Sequence, residues 1–200
     1  MKNFKLSTAV CFAVAIVAAG AANAATVLSG STKVGDTNNI VAVGGPSILS
    51  NNAAYTYEAT TPASDWVWID DVNDNDIAKF VFKFDLSGYN LATANLSGVW
   101  GVDNAGSIQL NGTEISILSY GYPAFQTLTS YGSTDASMFL AGVNTLTFNG
   151  LDQGGQGALR ATAIVTADAA VSPVPLPAAG LMLFAGLGGL VAARRRRKAA

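Results

Sequence analysis

The 200-residue chain contains no histidine, one cysteine, and only 12% charged residues. Without histidine, the commonest general base, the Ser/His triads and His-ligated metal centres are all excluded. Cys11 lies inside an apolar leader, so the rest of the chain has no disulfide, no cysteine nucleophile and no four-cysteine zinc site. Neither a G-x-S-x-G elbow nor a phosphate-binding P-loop occurs. Cations are scarce where most of the chain lies. Residues 25–172 carry Lys33, Lys79, Lys83 and Arg160 against all 13 carboxylates, a balance of −9 that the chain total of −2 conceals. Binding phosphates needs clustered Lys or Arg, so nucleic acid is not an expected partner.

The other seven cations mark the two ends. Lys2 and Lys5 precede an apolar run from Leu6 to Ala19, and Ala22-Asn23-Ala24 follows. A positive start, a short apolar core and an A-x-A site describe a secretory signal over residues 1–24, cut between Ala24 and Ala25. At the other end, Val174-Pro175-Leu176-Pro177-Ala178 leads into an uncharged segment, and Arg194, Arg195, Arg196, Arg197 and Lys198 close it. The 18 residues from Leu176 to Ala193 make a helix of roughly 27 Å, near the thickness of a bilayer core. A transmembrane helix over about 178–193 is expected. The basic stop at 194–198 stays cytoplasmic under the positive-inside bias.

This three-part end resembles the PEP-CTERM sorting signals, in the variant whose motif reads Val-Pro-Leu-Pro-Ala; Val174 to Ala178 match it residue for residue. The resemblance covers residues 171–200. It implies a precursor held in the inner membrane, an exosortase-type processing protease as partner, and a final location at the cell surface or outside the cell. Spacing and charge alone fit an ordinary tail anchor with a basic stop as well.

Between the ends, residues 25–170 read as one all-β domain. Ile77 to Leu86 alternates, with Phe80, Phe82, Phe84 and Leu86 on one side and Lys79, Val81, Lys83 and Asp85 on the other. Period two over ten residues predicts a strand with one buried face. Ser107 to Leu118 predicts a hairpin turning at Asn111-Gly112, because both residues tolerate positive φ. Val143–Phe148 and Ala158–Thr166 predict the last two strands. Ile40–Val43, Tyr55–Ala59, Trp66–Ile69 and Asn95–Val102 are shorter candidates. No stretch has the pattern of an amphipathic helix, and Ala136–Leu140 suits a single turn. Many short strands separated by turns predict a sandwich or jelly roll. The ordered blocks Phe84–Gly88, Trp100–Asn104, Leu110–Gly112, Ala141–Phe148 and Gly154–Arg160 are similar to a β-domain carried by many PEP-CTERM proteins. That domain is itself similar to galactose-binding-like jelly rolls. Gln156-Gly157-Ala158-Leu159 stands where that pattern has Pro-Thr-Gly-Leu.

Three candidate sites follow. Asp70, Asp71, Asn73, Asp74, Asn75 and Asp76 offer hard oxygens suited to a structural Ca²⁺. Asp76 and Phe82 stand where an EF-hand needs Gly and Glu, and a solvated acidic turn explains the run equally. Trp66, Trp68 and Trp100 are core candidates; the first two would share a face of one strand. Tyr120, Tyr122, Phe125 and Tyr131 fall in an expected loop and are the candidates for stacking on glycan rings. The expected function is a non-enzymatic, exported surface module contacting exopolysaccharide. The alternatives are a purely structural matrix protein and a glycan-active enzyme using distant carboxylates such as Glu58, Asp103 or Glu114. A glycosidase would need two of them in one cleft, about 5–9 Å apart.

Overall fold

A computed structural model describes residues 25–69, 77–121 and 123–170, together with Arg194. The expected secretory leader, the acidic run Asp70–Asp76, Tyr122, the Val174–Ala178 motif and the expected transmembrane helix lie outside the described residues, as does the expected basic stop apart from Arg194. Among the described residues, no helix is long and apolar enough to cross a membrane.

Among the described residues, eleven strands and one short α-helix follow in order, with three single 3-10 turns between them: β1 (Ala25–Thr32), β2 (Asn39–Ala42), β3 (Ile48–Leu49), β4 (Val67–Trp68), β5 (Ile77–Asp85), β6 (Asn95–Asp103), β7 (Ala105–Leu110), β8 (Thr113–Leu118), α1 (Pro123–Gln126), β9 (Thr129–Ser133), β10 (Val143–Leu151) and β11 (Ala158–Ala167). They form a β-sandwich-like arrangement. One layer runs β9-β6-β11, with β1 and the β3–β4 pair along the far side of β11. The other runs β2-β5-β10-β7-β8. A short parallel pairing of Ser31 and Thr32 with Asn39 and Ile40 joins the layers.

Alternation builds the core. In β5, Ala78, Phe80, Phe82 and Phe84 are buried and the residues between them face outward. Phe80 and Phe82 pair across β10 with Phe148 and Leu146, and those two in turn pair with Ile108 and Leu110. Such cross-strand apolar pairs are the unit of sheet stabilisation. Leu96, Trp100 and Val102 of β6 and Leu159, Ala161, Ala163 and Val165 of β11 join the same cluster from the opposite layer. The hairpin turns where expected, with φ of 51° at Asn111 and 86° at Gly112.

Three expectations are corrected. Tyr55–Ala59 is not a strand. Its carbonyls bond to side chains instead of a neighbouring strand: Thr56 O accepts from Trp66 Nε1 at 2.8 Å and from Arg160 Nη1 at 3.0 Å, and Glu58 O accepts from Arg160 Nη2 at 2.8 Å. The expected Tyr120–Tyr131 loop contains α1 and the start of β9. Trp66 and Trp68 are both buried but join different clusters. Trp68 lies in the main core, 6.5 Å from Phe80, whereas Trp66 joins Tyr55, Phe125 and Ala158 in a second cluster.

Candidate functional site

The chain passes from one layer to the other at Asp103 and Asn104, between β6 and β7. Odd-numbered residues of β6 point away from the main core, so Asp103 turns outward while Val102 points inward. The second cluster covers this outer face. Its members Tyr55 and Trp66 stack at 4.7 Å, with Phe125 edge-on to Tyr55 at 5.7 Å. Beside the cluster opens a small cleft of about 170 Å³, lined by Asp103, Asn104, Tyr120, Gly121 and Phe125.

Polar groups brace the floor of this cleft. Tyr55 Oη lies 3.0 Å from both Asp103 Oδ2 and the Gln156 carbonyl, so its one proton serves either acceptor. Asn104 donates through Nδ2 to Asp103 Oδ1, and its own Oδ1 accepts the Gln153 amide at 2.8 Å. Asn104 N bonds Leu151 O at 2.9 Å. The corner is therefore tied to the β10–β11 loop through side chain and backbone together. Satisfied polar networks of this kind rigidify a site.

Electrostatics make Asp103 unusual. Burial raises its carboxyl above the ordinary value; the Tyr55 hydrogen bond lowers it, the nearby Asp152 charge raises it again, and Asn104 lowers it. Burial likewise raises the Tyr55 hydroxyl, with the Asp103 charge adding to it. The folded protein thus binds a proton at Asp103 more tightly than the unfolded chain does. The associated stability is present below about pH 3.9, the unfolded value, and is lost as pH rises through the folded pKa. Asp103→Asn should therefore raise the melting temperature at pH 7, and the gain over the parent chain should vanish toward pH 3.5. The amide fits because Tyr55 can donate to Gln156 O and accept from the new Nδ2. Parallel melts across this range check it, and a lower melting temperature at pH 7 would contradict it.

The structure separates the four aromatic glycan candidates. Tyr120 is 66% exposed and stands at the cleft rim. Phe125 is only 7% exposed; it lines the cleft from beneath as part of the second cluster and is not a free platform. Tyr131 is a core residue, also 7% exposed, stacked edge-on against Phe148 at 5.8 Å, with its hydroxyl donating to Thr162 O at 2.6 Å. Alternation in β9 turns it inward. Tyr122 lies outside the described residues. Sequence reasoning missed Tyr55, whose contacts with Asp103 and Gln156 are 48 and 101 residues distant along the chain. The Asp70–Asp76 run is outside the described residues, and among the described ones no group of three or more His, Cys, Asp or Glu could hold a metal.

The carboxylates named for an enzyme do not converge. Asp103 lines the cleft, Glu58 lines a separate groove, and Glu114 pairs with Gln109 in the other layer. Asp152, the charge that acts on Asp103, is fully buried.

No family model matches the chain, and no curated protein matches it. Among solved structures, a family 35 carbohydrate binding module from an environmental isolate is similar over 70% of this chain and 95% of its own, at 12% identity and a TM-score of 0.36. A beta-glucuronidase of an uncultured Clostridium sp. is similar over 77% of this chain but 30% of its own, at 14% identity and a TM-score of 0.33. The module CsCBM6-3 of Clostridium stercorarium, solved with cellobiose, is similar over 61% of this chain and 86% of its own, at 12% identity and a TM-score of 0.27. At these values the likeness says nothing about ligands or residues.

Proposed function

We propose that residues 25–170 form a non-catalytic carbohydrate-binding domain, with the cleft at Asp103, Asn104 and Tyr120 as its site. One observation carries the reading. An exposed aromatic ring, Tyr120, stands over a floor made by a braced carboxylate and carboxamide. An aromatic face suits the apolar side of a sugar ring, and a carboxylate–amide pair accepts from and donates to adjacent hydroxyls. The cleft is smaller than the 300–1,000 Å³ typical of pockets that enclose a whole ligand, so it takes one unit of a larger molecule. Among the described residues the cleft is lined by one carboxylate, Asp103, which supports binding over glycoside hydrolysis.

A glycan array probed with the full-length chain tests the reading. Binding should appear on a subset of glycans, and Tyr120→Ala should weaken it about tenfold, the worth of one aromatic stacking contact. Absence of binding to any glycan would leave a purely structural matrix role as the better account.

The trafficking half of the proposal rests on the two ends. The precursor is held in the inner membrane and processed by an exosortase-type protease near Val174–Ala178, and the domain then works at the cell surface or beyond it. Mass spectrometry of surface fractions should find chains that begin at Ala25 and end near Pro175–Ala178. A surface form still carrying Arg194–Lys198 would overturn this half.

A further inference from the structure

A second concavity, of about 490 Å³, opens on the outer side of β6 and β11. Its floor includes Ser97, Val99 and Thr162, and Glu58, Thr60 and Thr61 stand along its wall. Arg160 holds that wall in place through the Glu58 carbonyl, and Glu58 Oε1 accepts the Leu128 amide at 3.3 Å, tying the wall to the segment after α1.

The groove and the cleft share one strand. Ser97, Val99, Gly101 and Asp103 alternate onto the outer face of β6. Groove residues therefore end about 13 Å from Asp103, four residues at strand rise. The second cluster and the backbone of α1 at Ala124 separate them. Trp66 and Leu128 cover Gly101, where a Cβ would meet the Trp66 ring at 2.8 Å. Phe125 borders the cleft and Leu128 borders the groove. A linear ligand crossing this ridge in the direction of β6 would meet both concavities in succession.

We infer that the groove is a second subsite for the same ligand, and that the ligand is a neutral, hydroxyl-rich polysaccharide. This rests on the cleft being a sugar site. The lining favours that occupant, because among the described residues its polar side chains are three threonines, a serine and one carboxylate, with no cation. Glu58 and the −9 balance of residues 25–172 repel a polyanion. Linked subsites raise affinity through effective concentration, so affinity should grow with chain length until both are filled.

The test titrates the full-length chain with cello-, xylo-, manno- and galacto-oligosaccharides of one to six units. For the series that binds, affinity should rise at least about tenfold from the short to the long members. Val99→Trp and the more exposed Ser97→Trp fill the groove. Each should abolish that rise while leaving the affinity for one or two units unchanged, with unaltered melting temperature as the check on folding. Length-independent affinity, an unaltered rise in both variants, or tighter binding of uronate oligomers than neutral ones would overturn the groove inference alone. Absence of binding at every length would overturn the cleft reading as well.

Discussion

Gly98→Ala is expected to destabilise the domain by about 3 kcal/mol or more, at the upper end of what overpacking costs. Gly98 lies in β6 between β9 and β11, paired with Tyr131. A Cβ there would collide with the Thr162 carbonyl oxygen and meet the Tyr131 ring at 2.7 Å. The carbonyl belongs to the backbone of β11, so relief requires β6 and β11 to part. That same oxygen accepts the buried Tyr131 hydroxyl, whose ionisation is pushed far up by burial, so it remains a donor. The collision therefore also leaves a buried hydroxyl without its acceptor. Gly142→Ala is the control, because nothing lies within 4 Å of its Cβ position. Urea denaturation should show a large loss for the first variant and a change within about 0.5 kcal/mol for the second. Equal, small effects would mean the strands are not so closely set at Gly98.

The second large effect is expected at Arg160. This side chain is 4% exposed and points outward from β11 beneath residues 51–65. Its guanidinium donates to Ser64 Oγ at 2.9 Å, Thr56 O at 3.0 Å and Glu58 O at 2.8 Å. Burial lowers its pKa, and the charges of Glu58 and Asp65 counter that. It remains a cation at neutral pH and fastens an irregular segment onto the sheet. Arg160→Met keeps much of the packing but leaves the two carbonyls without these donors. Hydrogen bonds to charged groups contribute about 1.5–3 kcal/mol each, and they are not additive. A loss of about 3 kcal/mol is expected, with faster proteolysis between residues 51 and 65 and weaker glycan binding. Arg160→Lys should recover little, since one ammonium cannot reach three acceptors set in a planar fork. Full recovery by lysine would show that charge alone matters there.

Both residues bear on how far sequence carries. Gly98 and Arg160 stand inside strands that alternation and composition identify, yet neither shows its importance locally. Phe80, Phe82 and Phe84 are different: their period-two spacing announces a buried face, and the face is buried. Asn111-Gly112 likewise carries its own turn geometry. Tyr55 and Tyr57 also alternate, but no strand forms, because Arg160 and Trp66 donate to the carbonyls that a partner strand would have used. A residue about a hundred positions away decided that segment's conformation.

The candidate site divides in the same way. The aromatic content between Tyr120 and Tyr131 is visible in the sequence, but which ring meets solvent is not. Tyr131 lies in β9, whose pairing with β6 turns it onto Phe148, while Tyr120 precedes α1 and stays at the rim. The sequence by itself determined the absence of histidine chemistry, the acidic balance of residues 25–172, the alternating faces and the hairpin turn, since each depends on composition or near neighbours. Only the tertiary structure decided that Asp103, Asn104, Tyr55 and Tyr120 meet at one corner. Their contacts join segments far apart in the chain, and burial, which raises the Asp103 carboxyl, exists only once the layers have closed.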